Sequence, residues 1–153
     1  MLKTLWIMRH GLAVNEFQTD FSRALSETGK QQAQSVARQM LAQETILPSH
    51  MLVSPFRRTQ QTAEIVHSLL NLAKPFATEE LLVHYADSQL LGEFLLESPT
   101  SELIIVSHMP IVARLCQYLS PGCQIFGFET AQIVKLTIQH PRNAMVEKVY
   151  LPE

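Results

Sequence analysis

Leu103-Ile104-Ile105-Val106-Ser107-His108-Met109-Pro110 is the stretch that decides the fold. Four aliphatic residues in a row, with no charge among them, have the length and character of a strand covered on both faces. A polar turn follows at once. Beyond it Ile111, Val112, Leu115, Cys116 and Leu119 recur at three-and-four spacing, the apolar face of a helix with Pro110 in its first turn. Strand, loop and helix in that order form the unit from which parallel sheets are built.

The same unit recurs upstream. Leu2 to Met8 is an apolar run of strand length that gives way to a polar loop at Arg9. Ser26 is placed to cap a helix with Ala33, Val36, Ala37, Met40 and Leu41 on its apolar face, and Pro48 marks the exit. Met51-Leu52-Val53 predicts a short buried strand ending at Ser54-Pro55, and from Arg57 a second helix carries Ala63, Val66 and Leu70 to a stop at Asn71 and Pro75. Asp87 caps a third helix, whose stripe is Leu90, Leu91, Phe94 and Leu95 and which Pro99 ends. Ala131 to Ile138 and Met145 to Leu151 are β-rich and flank His140-Pro141-Arg142-Asn143, which predicts a closing hairpin. The pattern as a whole predicts an α/β fold, a three-layer α/β/α sandwich with a mostly parallel central sheet and a C-terminal antiparallel hairpin. Residues 1–153 form one domain in this reading, with no repeat, linker or low-complexity stretch.

Composition narrows the function classes. With 12 Lys and Arg against 14 Asp and Glu, the formal charge of -2 lacks the broad basic footprint of a nucleic-acid binder. At 46% hydrophobic and 17% charged the chain suits an ordered globular protein. The N-terminal apolar stretch is too short for a signal-peptide core, and no run approaches membrane-spanning length. Cys116 and Cys123 are the two cysteines, and a reduced, cytoplasmic protein fits them better than a disulfide scaffold. A monomer is expected.

In open α/β sheets ligands gather beyond the carboxyl ends of the strands. Arg9-His10, Ser54 to Arg58 and Ser107-His108 each follow such an end, so three distant segments converge on one rim. Any one of them alone reads as a capping imidazole or a solvated charge. Together, two histidines and two arginines make a compact cationic pocket in a chain with no overall basic excess, and such a pocket suits a phosphoryl group. Arginine forks contact phosphate oxygens bidentately at any working pH, a task that fits Arg9 and Arg58. An unprotonated imidazole is an adequate nucleophile, and His10 takes that role, dividing the displacement into two steps through a covalent phosphohistidine. The arginines hold its proton affinity down, so activity is expected to fall only in acid.

Arg9-His10-Gly11, Asp20 through Arg23 to Leu25, Ser54-Pro55-Phe56 with Arg58 and Gln61-Thr62, and Ser107-His108 followed by Pro110 resemble the histidine phosphatase (phosphoglycerate mutase-like) superfamily. Within it they are most similar to the short bacterial SixA-type phosphohistidine phosphatases, over nearly the whole chain. The resemblance implies His10 as nucleophile, Arg9, Arg58 and His108 as holders of the phosphoryl oxygens, and Gly11 as the backbone that orients the His10 ring. It leaves Arg57 as a rim charge. Arg23 has two readings, a phosphate contact or a structural clasp with Asp20, the clasp being preferred.

Superfamily members that cleave esters use a carboxylic acid to protonate a poor leaving group. Glu79, Glu80 and Asp87 lie in the approximate region, but Glu79 and Glu80 read better as exposed carboxylates before a helix. Phosphohistidine needs less help, so the expected substrate is a phosphohistidine on a phosphotransfer protein, either a histidine-phosphotransfer domain or a phosphotransferase-system carrier. The family analogy alone supplies that partner. His50, His67 and His140 lack metal-like spacing, and no metal or other cofactor is expected. The resemblance lets the segment that holds His84 border the pocket, although a surface histidine is the preferred reading. The alternatives are a phosphomonoesterase or mutase of small metabolites, and a non-catalytic phosphate-binding module.

Overall fold

The computed structural model describes all 153 residues. In chain order its elements are β1 (Thr4–Arg9), α1 (Glu27–Gln43), β2 (His50–Val53), α2 (Arg57–Leu70), β3 (Ala77–Thr78), α3 (Ser88–Leu96), β4 (Glu102–Ser107), α4 (Ile111–Leu119), β5 (Ile133–Thr137) and β6 (Met145–Tyr150). A single 3-10 turn, Glu80–Leu82, stands between β3 and α3. The strands form one sheet in the order β3-β2-β4-β1-β5-β6. The first four of that order are parallel, and the β5–β6 hairpin is added antiparallel beside β1.

The unbroken apolar runs of β1 and β4 follow from the two cores they serve. Leu5, Ile7, Leu103 and Ile105 face a cluster shared with Leu91 and Leu95 of α3 and Ile111, Leu115 and Leu119 of α4. Their alternates Trp6, Met8, Ile104 and Val106 face a second cluster, shared with Val36, Ala37 and Met40 of α1 and Ala63 and Val66 of α2. A strand buried on both faces has no position to spare for a polar side chain.

Parallel crossovers keep one hand, so the helix changes face when the chain reverses its direction across the sheet. From β1 the chain runs through α1 and β2 to α2 and β3 along one face, then returns through α3 to β4 along the other. The neighbours β1 and β4 therefore send their following loops to opposite faces, and a crevice opens between them beyond their carboxyl ends. Arg9 is paired with Ser107 in the register of these strands, so His10 and His108 emerge side by side.

Ser26 and Asp87 cap α1 and α3 through side-chain bonds to the backbone N–H groups of Gly29 and of Gln89 and Leu90, and Asn71 closes α2 in the left-handed region at φ 53°. Three residues expected in apolar stripes are not in the core: Leu41, Leu90 and Phe94 are 50%, 57% and 41% exposed. Helix α3 lies so close to α4 that Gly92 abuts the Tyr118 ring, and only Leu91 and Leu95 reach inward. Leu41 lies just past the buried Met40 on the solvent side of α1. The two-residue β3 was too short to leave a periodic signal. Both cysteines are free thiols, and no helix is long and apolar enough to cross a membrane.

Candidate active site

The crevice between β1 and β4 holds a cavity of about 280 Å3 lined by Arg9, His10, Asp20, Arg23, Arg58, His84 and His108, with Leu12, Ala13, Met109 and Thr130 completing the wall. Three arginines and one carboxylate give it a positive balance in a chain whose formal charge is -2. The imidazoles of His10 and His108 lie with centroids 5.3 Å apart at 66°.

The His10 ring is held by its own neighbour. Its Nδ1 lies 2.6 Å from the Gly11 carbonyl oxygen, which only accepts, so Nδ1 carries the proton and Nε2 keeps its lone pair. Arg58 Nε donates to that Nε2 at 3.3 Å, consistent with the same tautomer. Gly11 is fixed in turn, because its N–H donates to Thr62 Oγ1 at 3.1 Å and the Thr62 hydroxyl donates to the Arg58 carbonyl at 2.8 Å. A single segment of α2 thus positions both the arginine and the loop that aims the histidine.

Helix α1 clamps the same loop from the other side. The Ser26 hydroxyl accepts from Gly29 N–H at 3.0 Å and donates to the Leu12 carbonyl at 2.8 Å, while Leu12 N–H donates to Gln32 Oε1 at 2.9 Å. The backbones meet so closely that a Cβ on Gly29 would lie 2.1 Å from the Leu12 carbonyl oxygen, and one on Gly11 would lie 2.5 Å from that of Gly29. Gly29→Ala is therefore expected to cost about 2 kcal/mol or more of stability by forced separation of the helix and the His10 loop. Urea denaturation checks it, and a variant as stable as the parent would contradict the close approach.

Arg58 is 6% exposed. Its Nη1 donates to the Asp20 carbonyl at 2.8 Å and lies 3.3 Å from Asp20 Oδ1, and its guanidinium stacks over Phe56 at 4.9 Å. Arg9 Nη1 donates to the Phe128 carbonyl at 2.7 Å, whereas Arg9 Nε is buried without a partner. His108 Nε2 shares a 2.7 Å hydrogen bond with Ser54 Oγ, and its Nδ1 is also buried and unpartnered. The third such atom is His84 Nδ1, so all three orphaned nitrogens belong to side chains of this one cavity. The Arg9 Nε–H is a buried donor without an acceptor, which is costly, and a bound oxyanion relieves that cost.

A family model described as histidine phosphatase superfamily (branch 1) matches residues 5–83. The chain belongs to the histidine phosphatase superfamily. The phosphohistidine phosphatase SixA of Escherichia coli K12 is 31% identical over 143 residues, which span 91% of this chain and 88% of that one. The structure of the protein histidine phosphatase SixA complexed with tungstate superposes with a TM-score of 0.90 over 97% of each chain, at 28% identity. A mycobacterial glucosyl-3-phosphoglycerate phosphatase complexed with VO3 shares the fold at a TM-score of 0.70 and 15% identity, over 99% of this chain and all of the other. The chain is thus a phosphatase, a hydrolase of the SixA kind with a mixed six-stranded sheet.

Within this phosphatase the expected rim residues divide. Arg57 is exposed and reaches the Ser22 carbonyl rather than the cavity. Arg23 lines the cavity, but the clasp with Asp20 does not form: Arg23 Nε donates to the Val14 carbonyl at 2.6 Å and its guanidinium lies over Phe17. The turn closed by Arg23 N–H on the Asp20 carbonyl sends the two side chains apart, leaving Asp20 to Arg58. Glu79 and Asp87 are engaged in capping, accepting from Leu81 N–H and from Gln89 and Leu90 N–H, and neither they nor Glu80 line the cavity. The partners Ser54, Thr62, Gly29 and the Phe128 carbonyl had no assigned role in the sequence reading. Ser54 and Thr62 at least lie beside the strand-end motif, whereas a backbone carbonyl has no sequence signal.

Electrostatics set the protonation states. Burial pushes His10 down to about 4, against the Gly11 hydrogen bond and with Arg58, Arg9 and Arg23 adding to the effect. Burial pushes His108 down to about 2, reinforced by His10, Arg58, His84 and Arg9. Both rings are therefore neutral in the folded chain where the unfolded chain, with ordinary histidines near about 6.5, takes up protons. The unfolded state binds more protons, so stability present above about pH 6.5 is lost as pH falls toward 4, each histidine adding a slope of at most about 1.4 kcal/mol per pH unit. Urea midpoints in phosphate-free buffer are expected to drop over that window, less steeply in His108→Gln. A flat profile would contradict two neutral buried imidazoles.

Proposed function

We propose that this phosphatase removes phosphate from a phosphohistidine on a phosphotransfer protein, through a covalent phospho-His10 intermediate and without a metal ion. The 153 residues act in this reading as one domain, a cytoplasmic monomer. The observation that carries it is the neutral His10, with Nδ1 hydrogen-bonded to the Gly11 carbonyl and the Nε2 lone pair beside Arg58 in a cavity of three arginines.

Arg9, Arg58 and His108 hold the phosphoryl oxygens, with Arg23 lining the same cavity, the orphaned Arg9 Nε as a donor that needs them, and His108 Nδ1 as a second donor in the tautomer whose Nε2 accepts from Ser54. His10 Nε2 attacks phosphorus, the bond to the donor ring breaks, and water then displaces phosphate from His10. The tungstate held by the SixA relative, a tetrahedral oxyanion, supports a phosphoryl site of this kind. The sole cavity carboxylate, Asp20, is paired with Arg58, so no free carboxylic acid waits for an alkoxide leaving group. That favours the labile P–N bond over an alkyl ester. A histidine-phosphotransfer domain or a phosphotransferase-system carrier supplies the donor.

Phosphate release from a phosphohistidine-bearing transfer protein, run beside 4-nitrophenyl phosphate and in the presence and absence of EDTA, tests the assignment. Fast release from the protein donor, feeble ester cleavage and no effect of chelation are expected. Brisk ester cleavage with an inert protein donor would move the chain to the metabolite phosphatases, and tight phosphate binding without turnover would make it a binding module.

A further inference from the structure

Among the histidines and arginines that line the cavity, His84 is the one with no part so far in holding phosphate or attacking it. Its placement is nonetheless built. Ser107, the last residue of β4, donates its hydroxyl to the Leu82 carbonyl at 2.5 Å, which pins the turn before His84 to the strand end that delivers His108. The His84 ring meets His108 at 5.1 Å, Phe56 at 5.2 Å and Tyr85 at 5.0 Å, edge to face in each case. Phe56 continues the row to Phe21 at 5.1 Å. A row of aromatic rings thus runs from the buried His108 through His84 and Phe56 to Tyr85 and Phe21, which are 75% and 53% exposed, and within this row His84 and His108 line the cavity. His84 Nδ1 is buried with no hydrogen-bond partner.

A cavity lined by the edge-to-face rings of His84 and His108 suits a flat ring departing from phosphorus, and a cavity imidazole with a nitrogen free of any hydrogen bond suits a proton. We propose that His84 is the proton-transfer residue for the leaving group, a role that rests on His10 being the nucleophile. Glu79, Glu80 and Asp87, the carboxylates weighed for this task from the sequence, do not line the cavity, and Asp20, which does, is paired with Arg58.

The step balances. The His10 Nε2 lone pair forms the new bond to phosphorus, the P–N pair of the donor returns to its ring, and protonated His84 gives that ring a proton so that it leaves as neutral imidazole. Water then attacks phosphorus on His10, the P–Nε2 pair returns to His10, and the proton released by water goes to His84. Burial holds His84 below the ordinary histidine value, with Arg58 adding to it and Asp20 opposing. A phosphoryl dianion in the cavity offsets Arg58, so substrate itself favours the protonated ring.

The test compares the parent with His84→Gln and His84→Glu on dinitrophenyl phosphate, whose leaving group needs no proton, on phenyl phosphate, whose leaving group does, and on a phosphohistidine-bearing transfer domain. His84→Gln is expected to change the activated ester less than about threefold, and to slow phenyl phosphate and phosphohistidine by about 100-fold. His84→Glu, which restores an acid, is expected to regain part of the phenyl phosphate rate. Equal losses on both esters, or no loss on phenyl phosphate, would overturn the assignment. Should His84→Gln fail to fold, the parent alone decides: rates that fall steeply along a series of ever poorer aryl leaving groups would show that no proton is delivered. Failure of the His10 reading is separable, because it shows as parent turnover with no acid-labile phosphate on the protein.

Discussion

His10→Ala is expected to lower kcat on a phosphohistidine donor by at least about 10,000-fold, because the displacement then loses its attacking atom and not merely a contact. Arg9, Arg58 and His108 remain to bind phosphate, so binding of inorganic phosphate should survive in the variant even as turnover disappears. The expected split is thus large in kcat and small in Kd. The geometry makes this a sharp test, since no other cavity side chain presents an imidazole lone pair that is both oriented by a backbone carbonyl and faced by a guanidinium. Steady-state assays with phosphate-binding calorimetry measure both quantities. Retention of a tenth of the parent rate would remove His10 from the nucleophile's place.

Arg58→Ala is expected to cost about 1,000-fold in kcat/KM, the loss typical of removing one fixed donor from a site of developing charge. Three consequences of its position combine. Under the proposed function the guanidinium holds the phosphoryl group, while its Nε steadies the neutral His10 tautomer and its contacts to Asp20 tie the first loop to α2. A directional effect on pH follows. Arg58 is one of the cations that depress His10, so its removal raises the proton affinity of His10 from about 4 toward the ordinary value, and the acid limb of the rate profile moves to higher pH. Arg58→Lys keeps the charge and so should keep the limb near its original place, yet recover less than about a tenth of the rate, because a point charge does not reproduce the fork. The adjacent exposed residue is the control: Arg57→Ala should change kcat/KM by less than about threefold. Equal losses at the two positions would mean that α2 contributes general charge rather than one placed arginine.

Much of the fold was legible because strands and helices in it obey their periods almost everywhere. Leu103 to Val106 and Leu2 to Met8 read as buried strands since both their faces are covered, and Ser26 and Asp87 marked helix starts that the backbone uses. What escaped was packing rather than pattern. Leu90 and Phe94 look like core at helical spacing, but the close approach of Gly92 to Tyr118 rotates them outward. At the site, Arg9, His10, Arg58 and His108 could be placed on one rim because each follows a strand end, and the cavity gathers them. The pairing of Asp20 with Arg58 instead of Arg23 depends on how one turn directs its side chains, and the hold of the Phe128 carbonyl on Arg9 depends on a loop 119 residues away in sequence. Neither leaves a trace in local residue type. His84 lies between these cases: the resemblance let its segment border the pocket but a surface histidine was the preferred reading, and its place in the cavity and its unpartnered nitrogen required the packed ring cluster.

The covalent step is open to direct observation. Mixing the phosphatase with a radiolabelled phosphohistidine-bearing transfer protein, quenching within milliseconds in alkali and mapping the label should find phosphate on His10, stable in base and lost in acid, near one equivalent per chain when hydrolysis is the slower step. Release of inorganic phosphate at the full steady-state rate, with no label on His10 at any quench time under conditions where added phosphohistidine standard survives, would contradict a phospho-His10 intermediate and leave water as the attacking group.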